Sequence, residues 1–356
     1  MCREFSKKCS LMAKGLAILL LLNYHLFEDA RAVADLQVDY RPFPLEAFLT
    51  FSKFGNVSVA VFVFLTAYGI TMGLKCQEKI TVQTMYRQAL KRMLKLMGNF
   101  LALYISVIAV WLHWFDLGSL YGGGKQGFLY LLADALGFAQ ILDTPTLNMT
   151  WWYMEIAYVL IFLVPLLFLL VQKTGYSLLP IVFFVPAVLE LNPDITRYLF
   201  TAAVGVCAAY GNWPDRLLNL KLHPVVRWAA GCAGLVLCVL VRQNFLVQDK
   251  LLHLADAGAA VFLVWFAAAL PGSVPLVKNI LEWLGRYSMN IFMVHTFFYL
   301  ILWRQYIYGL RYAGAIFAAL LLASLVYSVL LEWIKKGAAW GFQRLRSVRR
   351  PGAGEK

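Results

Sequence analysis

Apolar residues along this chain are collected into long runs separated by short polar connections. Ten runs, at about 11–27, 56–74, 93–115, 151–172, 177–191, 197–212, 226–245, 251–270, 286–303 and 312–334, are long enough, or nearly so, to cross a hydrocarbon core of about 30 Å. Each predicts a helix, because a chain surrounded by lipid must satisfy its own backbone hydrogen bonds. The runs at 177–191 and 197–212 are short, and Pro180 and Pro186 interrupt the first, but counting both or neither leaves the C-terminus on the same side. A less apolar run at 127–142 carries Asp134 and predicts a helix that lies at the membrane surface or dips into it.

Positive charge orients these runs, since cytoplasmic connections hold the excess of Lys and Arg. With the N-terminus inside, twenty-three of the 32 basic residues fall on the inner side and nine on the outer. The expected fold is therefore all-α: a polytopic membrane protein of about ten transmembrane helices with both termini cytoplasmic. The spans belong to a domain covering 1–334. The segment 335–356 reads as a basic cytoplasmic tail without regular structure, placed to touch anionic lipid. The first run, ending near Ala32-Val33-Ala34, also has the outline of a secretory leader, but Asn23-Tyr24-His25 and Glu28-Asp29 make a poor end to its apolar region.

Composition narrows the function classes. A chain of 356 residues with 61% apolar and 14% charged residues is not a soluble globule, in which roughly a quarter of residues are charged. A net charge of +13 suggests nucleic acid, but the charges sit between apolar runs and no nucleic-acid-binding signature accompanies them, so no such partner is expected. Six cysteines show neither a C-x-x-C pair nor a ligand spacing with His, which predicts no disulfide framework and no metal site.

Candidate chemistry lies in the polar residues inside the runs. His25 is eleven residues beyond Lys14, roughly 16 Å along a helix and about halfway through the core. An imidazole at that depth is a functional candidate, with a hydrogen bond to a neighbouring helix as the structural alternative. His295 lies nine residues beyond Arg286 on a run that also starts inside, so the two rings share a depth and could face one cavity. The run that opens at Asn148 carries an aromatic belt, Trp151-Trp152-Tyr153, with Glu155 just beneath it. That carboxylate could orient an imidazole, line an acceptor site or reach up to water; Asp256 invites the same reading. On the inner side Arg92 and Lys95 stand at i, i+3, a spacing suited to a diphosphate and also common in ordinary positive-inside flanks.

Five of these segments, taken in order, resemble the membrane-bound acyltransferase family 3. Lys14-x10-His25 resembles its Arg/Lys-x10-His opening, and Val61 to Ile70 its apolar, small-residue and aromatic second helix. Arg92-x-x-Lys95 is similar to its Arg-x-x-Arg element, Trp152-x-x-Glu155 with Pro165 to its Trp-to-Pro helix, and Gly285-x-x-Ser288 with His295 to its late Gly-x-x-Ser and His helix. The resemblance implies an integral membrane enzyme, in a bacterial-type cytoplasmic membrane, that moves an acyl group, commonly acetyl, from acyl-CoA to a hydroxyl on a cell-envelope glycan. It implies His25 as the catalytic group, Lys14 beneath it, and Arg92 with Lys95 on the CoA phosphates. Beside these, Glu155 is read as a second catalytic candidate and Asn148, Trp152, Ser288 and His295 as candidates around the substrate. Two departures stand out: Lys replaces Arg at 14 and 95, which keeps charge but loses the planar fork, and Thr66-Ala67 stands where Ser-Gly is expected. A carrier of small solutes or lipid-linked sugars is the alternative, since buried His, Glu and Asp also suit transport. No inverted repeat is visible, and a carrier has no need of a basic i, i+3 pair.

Overall fold

A computed structural model describes residues 7–29, 33–77, 80–188, 193–243, 249–270 and 272–348. The chain is all-helical, with no strand among the described residues. Its first half comprises α1 (Lys7–Phe27), α2 (Leu45–Phe54), α3 (Ser58–Lys75), α4 (Val82–Trp111), α5 (Leu117–Tyr121), α6 (Gly124–Ala135) and α7 (Trp152–Thr174). There follow α8 (Leu178–Val188), α9 (Pro193–Tyr210), α10 (Trp213–Leu218), α11 (Pro224–Gln243), α12 (Asp249–Ala268), α13 (Pro275–Thr296), α14 (Arg304–Tyr308) and α15 (Ala313–Val348).

Each of the ten apolar runs falls on a helix, yet only six helical stretches among the described residues are both long and apolar enough to cross a membrane. These are Lys7–Phe27, Leu45–Lys75, Val82–Trp114, Met149–Val185, Pro224–Arg242 and Ala313–Trp340, with Leu252–Ala268 a shorter apolar helix. That marks an integral membrane protein. The shortfall has physical causes. Helix α8, with 11 residues, is about 16 Å long, and α13 carries Lys278, Glu282, Arg286 and Asn290, which lower its hydropathy.

Helix α1 lies at the centre, packed against α3, α12, α13 and α15, and α13 is its principal neighbour. Glycine makes that contact possible. A Cβ at Gly15 would stand 2.0 Å from the carbonyl oxygen of Leu281, and one at Gly285 would stand 1.9 Å from that of Leu11. Below this crossing Lys8 meets Asn279 and Glu282, and above it His25 meets His295, so the two helices run parallel. Close approach of small residues is a common way for helices to pair in lipid, where packing rather than water drives association.

Two expectations are corrected. The segment after Lys335 continues α15 as helix to Val348, because no proline or turn signal intervenes before Pro351. Cys76 is disulfide-bonded, which no C-x-x-C spacing in the sequence signals. The run at 127–142 becomes α6 followed by a loop, and Asp134 is buried. Its carboxylate accepts from the Tyr121 hydroxyl at 2.6 Å, the Thr146 hydroxyl at 2.7 Å and the Leu147 amide at 2.8 Å. At the same end of the bundle, Asp39 pairs with the start of α15: its amide donates to Arg311 O at 2.7 Å and its carbonyl accepts from the Ala313 amide at 2.9 Å.

Candidate active site

The parallel α1 and α13 pair sets the two histidines against each other, with ring centroids 4.9 Å apart and planes inclined by 49°. His295 is fully buried. Its Nδ1 lies 2.7 Å from the carbonyl oxygen of Phe292. A carbonyl can only accept, so Nδ1 carries the proton and Nε2 keeps a lone pair. That Nε2 is buried and makes no hydrogen bond among the described residues. Immediately beyond His295, α13 passes into a π-helical turn, Phe297–Leu302, a distortion frequent at functional sites. His25 is half-buried and stands over Lys14 on one face of α1, three turns further along.

Lys14 and Arg92 come together. They line one cavity of about 300 Å³ with Thr66, Tyr153, Ser288 and Phe292 among its walls. Arg92 reaches it across α3 at Gly73, where a Cβ would sit 3.0 Å from a guanidinium nitrogen. Lys95 is exposed and does not line this cavity. Three residues turn a helix by about 300°, leaving Lys95 about 60° from Arg92 around the axis, enough to carry it past the rim. The Ser288 hydroxyl donates to Gly285 O at 3.0 Å, and Thr66 is hydrogen-bonded to Tyr153. Thr66 therefore acts in the wall rather than as an opening in α3.

Neither histidine lines this cavity directly. Phe62, Tyr153 and Phe292 close its upper end as three touching rings, with centroid separations of 5.2 to 6.4 Å. Phe292 in turn lies 5.9 Å from the His295 ring. One layer of aromatic side chains thus separates the basic pocket from the imidazoles.

At the opposite end of the bundle the expected residues hold other partners. The Glu155 carboxylate accepts from the Gln140 amide at 2.6 Å and the Ile141 amide at 3.0 Å, and it bonds neither histidine. It fixes the loop after α6, so of the roles open to it from sequence the orienting of an imidazole is not the one seen. Asn148 caps the start of α7 by accepting from the Thr150 amide at 3.0 Å, and it donates to Met293 O and Thr296 Oγ1. It thereby anchors α13 beside His295. Trp152 packs against Tyr198 at 5.9 Å and lines a second cavity of about 530 Å³ with Glu155 and Arg197. Asp256, fully buried, takes Arg197 and Arg242 at 2.7 Å or closer. Neither arginine was singled out from sequence, although both fall at outer ends of predicted spans and so at the depth of Asp256. Tyr24, whose ring is 5.1 Å from that of His25, is hydrogen-bonded to Glu28 and accepts from Asn56 at 3.4 Å. Among the described residues no group of three His, Cys, Asp or Glu side chains is placed to hold a metal ion.

The family model for an acyltransferase domain matches residues 12–333, nearly the whole chain. No curated protein and no solved structure matches it.

Proposed function

Since the chain belongs to the acyltransferase-domain family, we propose that it transfers an acyl group, acetyl in the simplest case, from cytoplasmic acyl-CoA to a hydroxyl of a cell-envelope glycan. His25 serves as the general base. The observation that carries this reading is the histidine pair mounted above a cavity that holds Lys14 and Arg92. Two cations at a cavity floor suit the phosphates of CoA, and the apolar wall above them suits the pantetheine arm. The parallel α1 and α13 both start at this basic end, which supports placing it, and both termini, on the cytoplasmic side of a bacterial-type cytoplasmic membrane.

In the reaction the acceptor oxygen attacks the thioester carbonyl carbon while its proton passes to a ring nitrogen of His25. The tetrahedral intermediate collapses with cleavage of the C–S bond, and the protonated imidazole returns the proton to the departing thiolate. Ester and CoA thiol result, and His25 ends neutral as it began. An imidazole suits this exchange because its ordinary pKa lies near neutrality. His295 acts on His25 rather than on substrate: its Nε2 lone pair, held by the Nδ1 bond to Phe292 O, is unused, and on a small approach of the two rings it accepts from an N–H of His25 and sets which nitrogen of His25 is basic. For donor and imidazole to meet, the rings of Phe62, Tyr153 and Phe292 must part as the acyl arm enters.

The test is purified His25→Ala with acetyl-CoA and envelope glycan, folding being checked by thermal unfolding. Loss of transfer with the melting temperature retained is expected; a folded variant that still acylates removes the assignment.

A further inference from the structure

The basic cavity has two ends of different chemistry. Ile70, Thr66 and Phe62 follow one another up a single face of α3 and form one of its walls. Thr66 lies about 6 Å below Phe62 along that helix and about 10 Å above Gly73, where Arg92 arrives. On α7, Tyr153, Ala157 and Ile161 repeat at the same spacing and form another wall. Arg92 therefore enters at the lower end, and the Thr66 and Tyr153 side chains stand towards the upper one.

Three hydroxyls line this cavity, and their hydrogens can be accounted for. Ser288 spends its hydrogen on Gly285 O at 3.0 Å. Thr66 and Tyr153 are bonded to each other, and a bond between two hydroxyls uses one hydrogen of the two. The Ser52, Thr174 and Ser328 hydroxyls donate to the carbonyl four residues earlier, a usual resort of such side chains in helices. Thr66 makes no such bond among the described residues, and Tyr153 has no acceptor there other than Thr66. One hydroxyl hydrogen is left over, next to the apolar side chains of Phe62, Phe292 and Met154. A donor so placed favours a ligand that brings an acceptor to that point.

We propose that the Thr66 and Tyr153 hydroxyls form the subsite for the thioester carbonyl of the acyl donor, and so distinguish acyl-CoA from the free CoA that the reaction releases. The inference rests on the acyl-transfer reading and adds to it the residues that hold the reacting end of the donor before the rings part. With the phosphates on Lys14 and Arg92, the thioester is the far end of the arm. Its carbonyl oxygen has left water and needs a hydrogen-bond donor. The amide carbonyls of the pantetheine arm are the competing acceptors, but they lie nearer the phosphates, whereas Tyr153 is itself one of the three rings that close the upper end. The contact breaks no existing bond, because the pair keeps its internal one and gives its spare hydrogen.

The test measures binding to full-length protein in nanodiscs of free CoA and two unreactive analogues of acetyl-CoA. One is the ketone in which a methylene replaces the sulfur; the other is the S-ethyl thioether, in which a methylene replaces the carbonyl. The parent is expected to bind the ketone about three- to tenfold more tightly than the thioether, as one neutral hydrogen bond allows. Thr66→Val with Tyr153→Phe, which removes both hydroxyls, is expected to bring that ratio to one while CoA binds as before. Arg92→Ala is expected to weaken both analogues alike and leave the ratio unchanged. Thermal stabilisation by CoA shows that each variant is folded. Each single variant, Thr66→Val or Tyr153→Phe, is expected to lower the ratio, which keeps the test available if the double variant does not fold. If neither CoA nor either analogue stabilises the parent, the acyl-transfer reading itself fails. Equal binding of ketone and thioether by the parent overturns the inference, as does a ratio that survives in the folded double variant or in both single ones. It is also overturned if Arg92→Ala alone abolishes the ratio. A double variant that binds CoA and both analogues more weakly by one factor would place a pantetheine amide on the pair and overturn it too.

Discussion

Alanine at Gly285 puts the α1 and α13 crossing under direct strain. The new Cβ would stand 1.9 Å from Leu11 O, whereas real Cβ atoms essentially never approach within 3.0 Å, so the helices must part by about 1.1 Å. Overpacking of this kind destabilises by about 1–3 kcal/mol, and the better helix propensity of alanine returns up to about 1 kcal/mol. The net cost in stability is therefore modest. Catalysis should suffer more, because the same displacement opens the 4.9 Å contact between His25 and His295, and a misplacement of about 1 Å can cost on the order of 100-fold in rate. The assay is acyl transfer by purified protein alongside its melting temperature, with Gly314→Ala as a control, since nothing lies within 4 Å of a Cβ there. Gly15→Ala strains the same crossing at 2.0 Å, so the double variant should be little worse than either single one. Gly285→Ala with rate and melting temperature both near the parent would refute the argument.

Arg92→Ala should raise KM for acyl-CoA by about 10- to 100-fold with little change in kcat, as loss of a charged phosphate contact implies. Lys95→Ala should change neither, and an equal loss there would contradict the cavity geometry. Asp256→Asn removes the carboxylate that the two guanidiniums share, and about 3–5 kcal/mol of stability should be lost; an unchanged melting temperature would refute the pairing as a source of stability. In the loop after α1, hydrogen bonds from Arg41 hold the Asp39 carboxyl below its ordinary pKa. Its stabilising contribution is therefore present above that ordinary value, near 4, and lost as pH falls through the depressed one. Hydrogen exchange at the Asp39 and Ala313 amides should speed up on acidification through that window; constant protection would count against the linkage.

The helices were legible because lipid allows few alternatives to an apolar run. The placement of His25 over Lys14 was legible for a related reason: the two share one helix, whose rise and period fix both spacing and face. His295 could be placed by the same counting, but not its contact with His25, which depends on glycines at the crossing. The partners of Glu155 were not legible, because the Gln140 and Ile141 amides lie in a loop with no periodic pattern. Lys95 lies outside the cavity that Arg92 enters because an i, i+3 pair spans enough of the helix circumference for one residue to reach a cavity while the other misses it. The cluster at Asp256 joins α9, α11 and α12, and a single sequence gives no measure of distance between helices so placed.

The pairing of the first long helix with one near the far end of the chain constrains biosynthesis. Once α1 has entered the membrane, roughly 250 further residues must leave the ribosome before α13 is available, on the order of tens of seconds at about 5–20 residues per second. During that interval Gly15 and His25 lack their eventual neighbours, and a helix carrying a polar ring is exposed to lipid or held by the insertion machinery. The enzyme therefore cannot acquire its reaction centre piecemeal. Nascent chains stalled before Pro275 should be inserted yet inert, and cellular quality control has a long window in which to discard them.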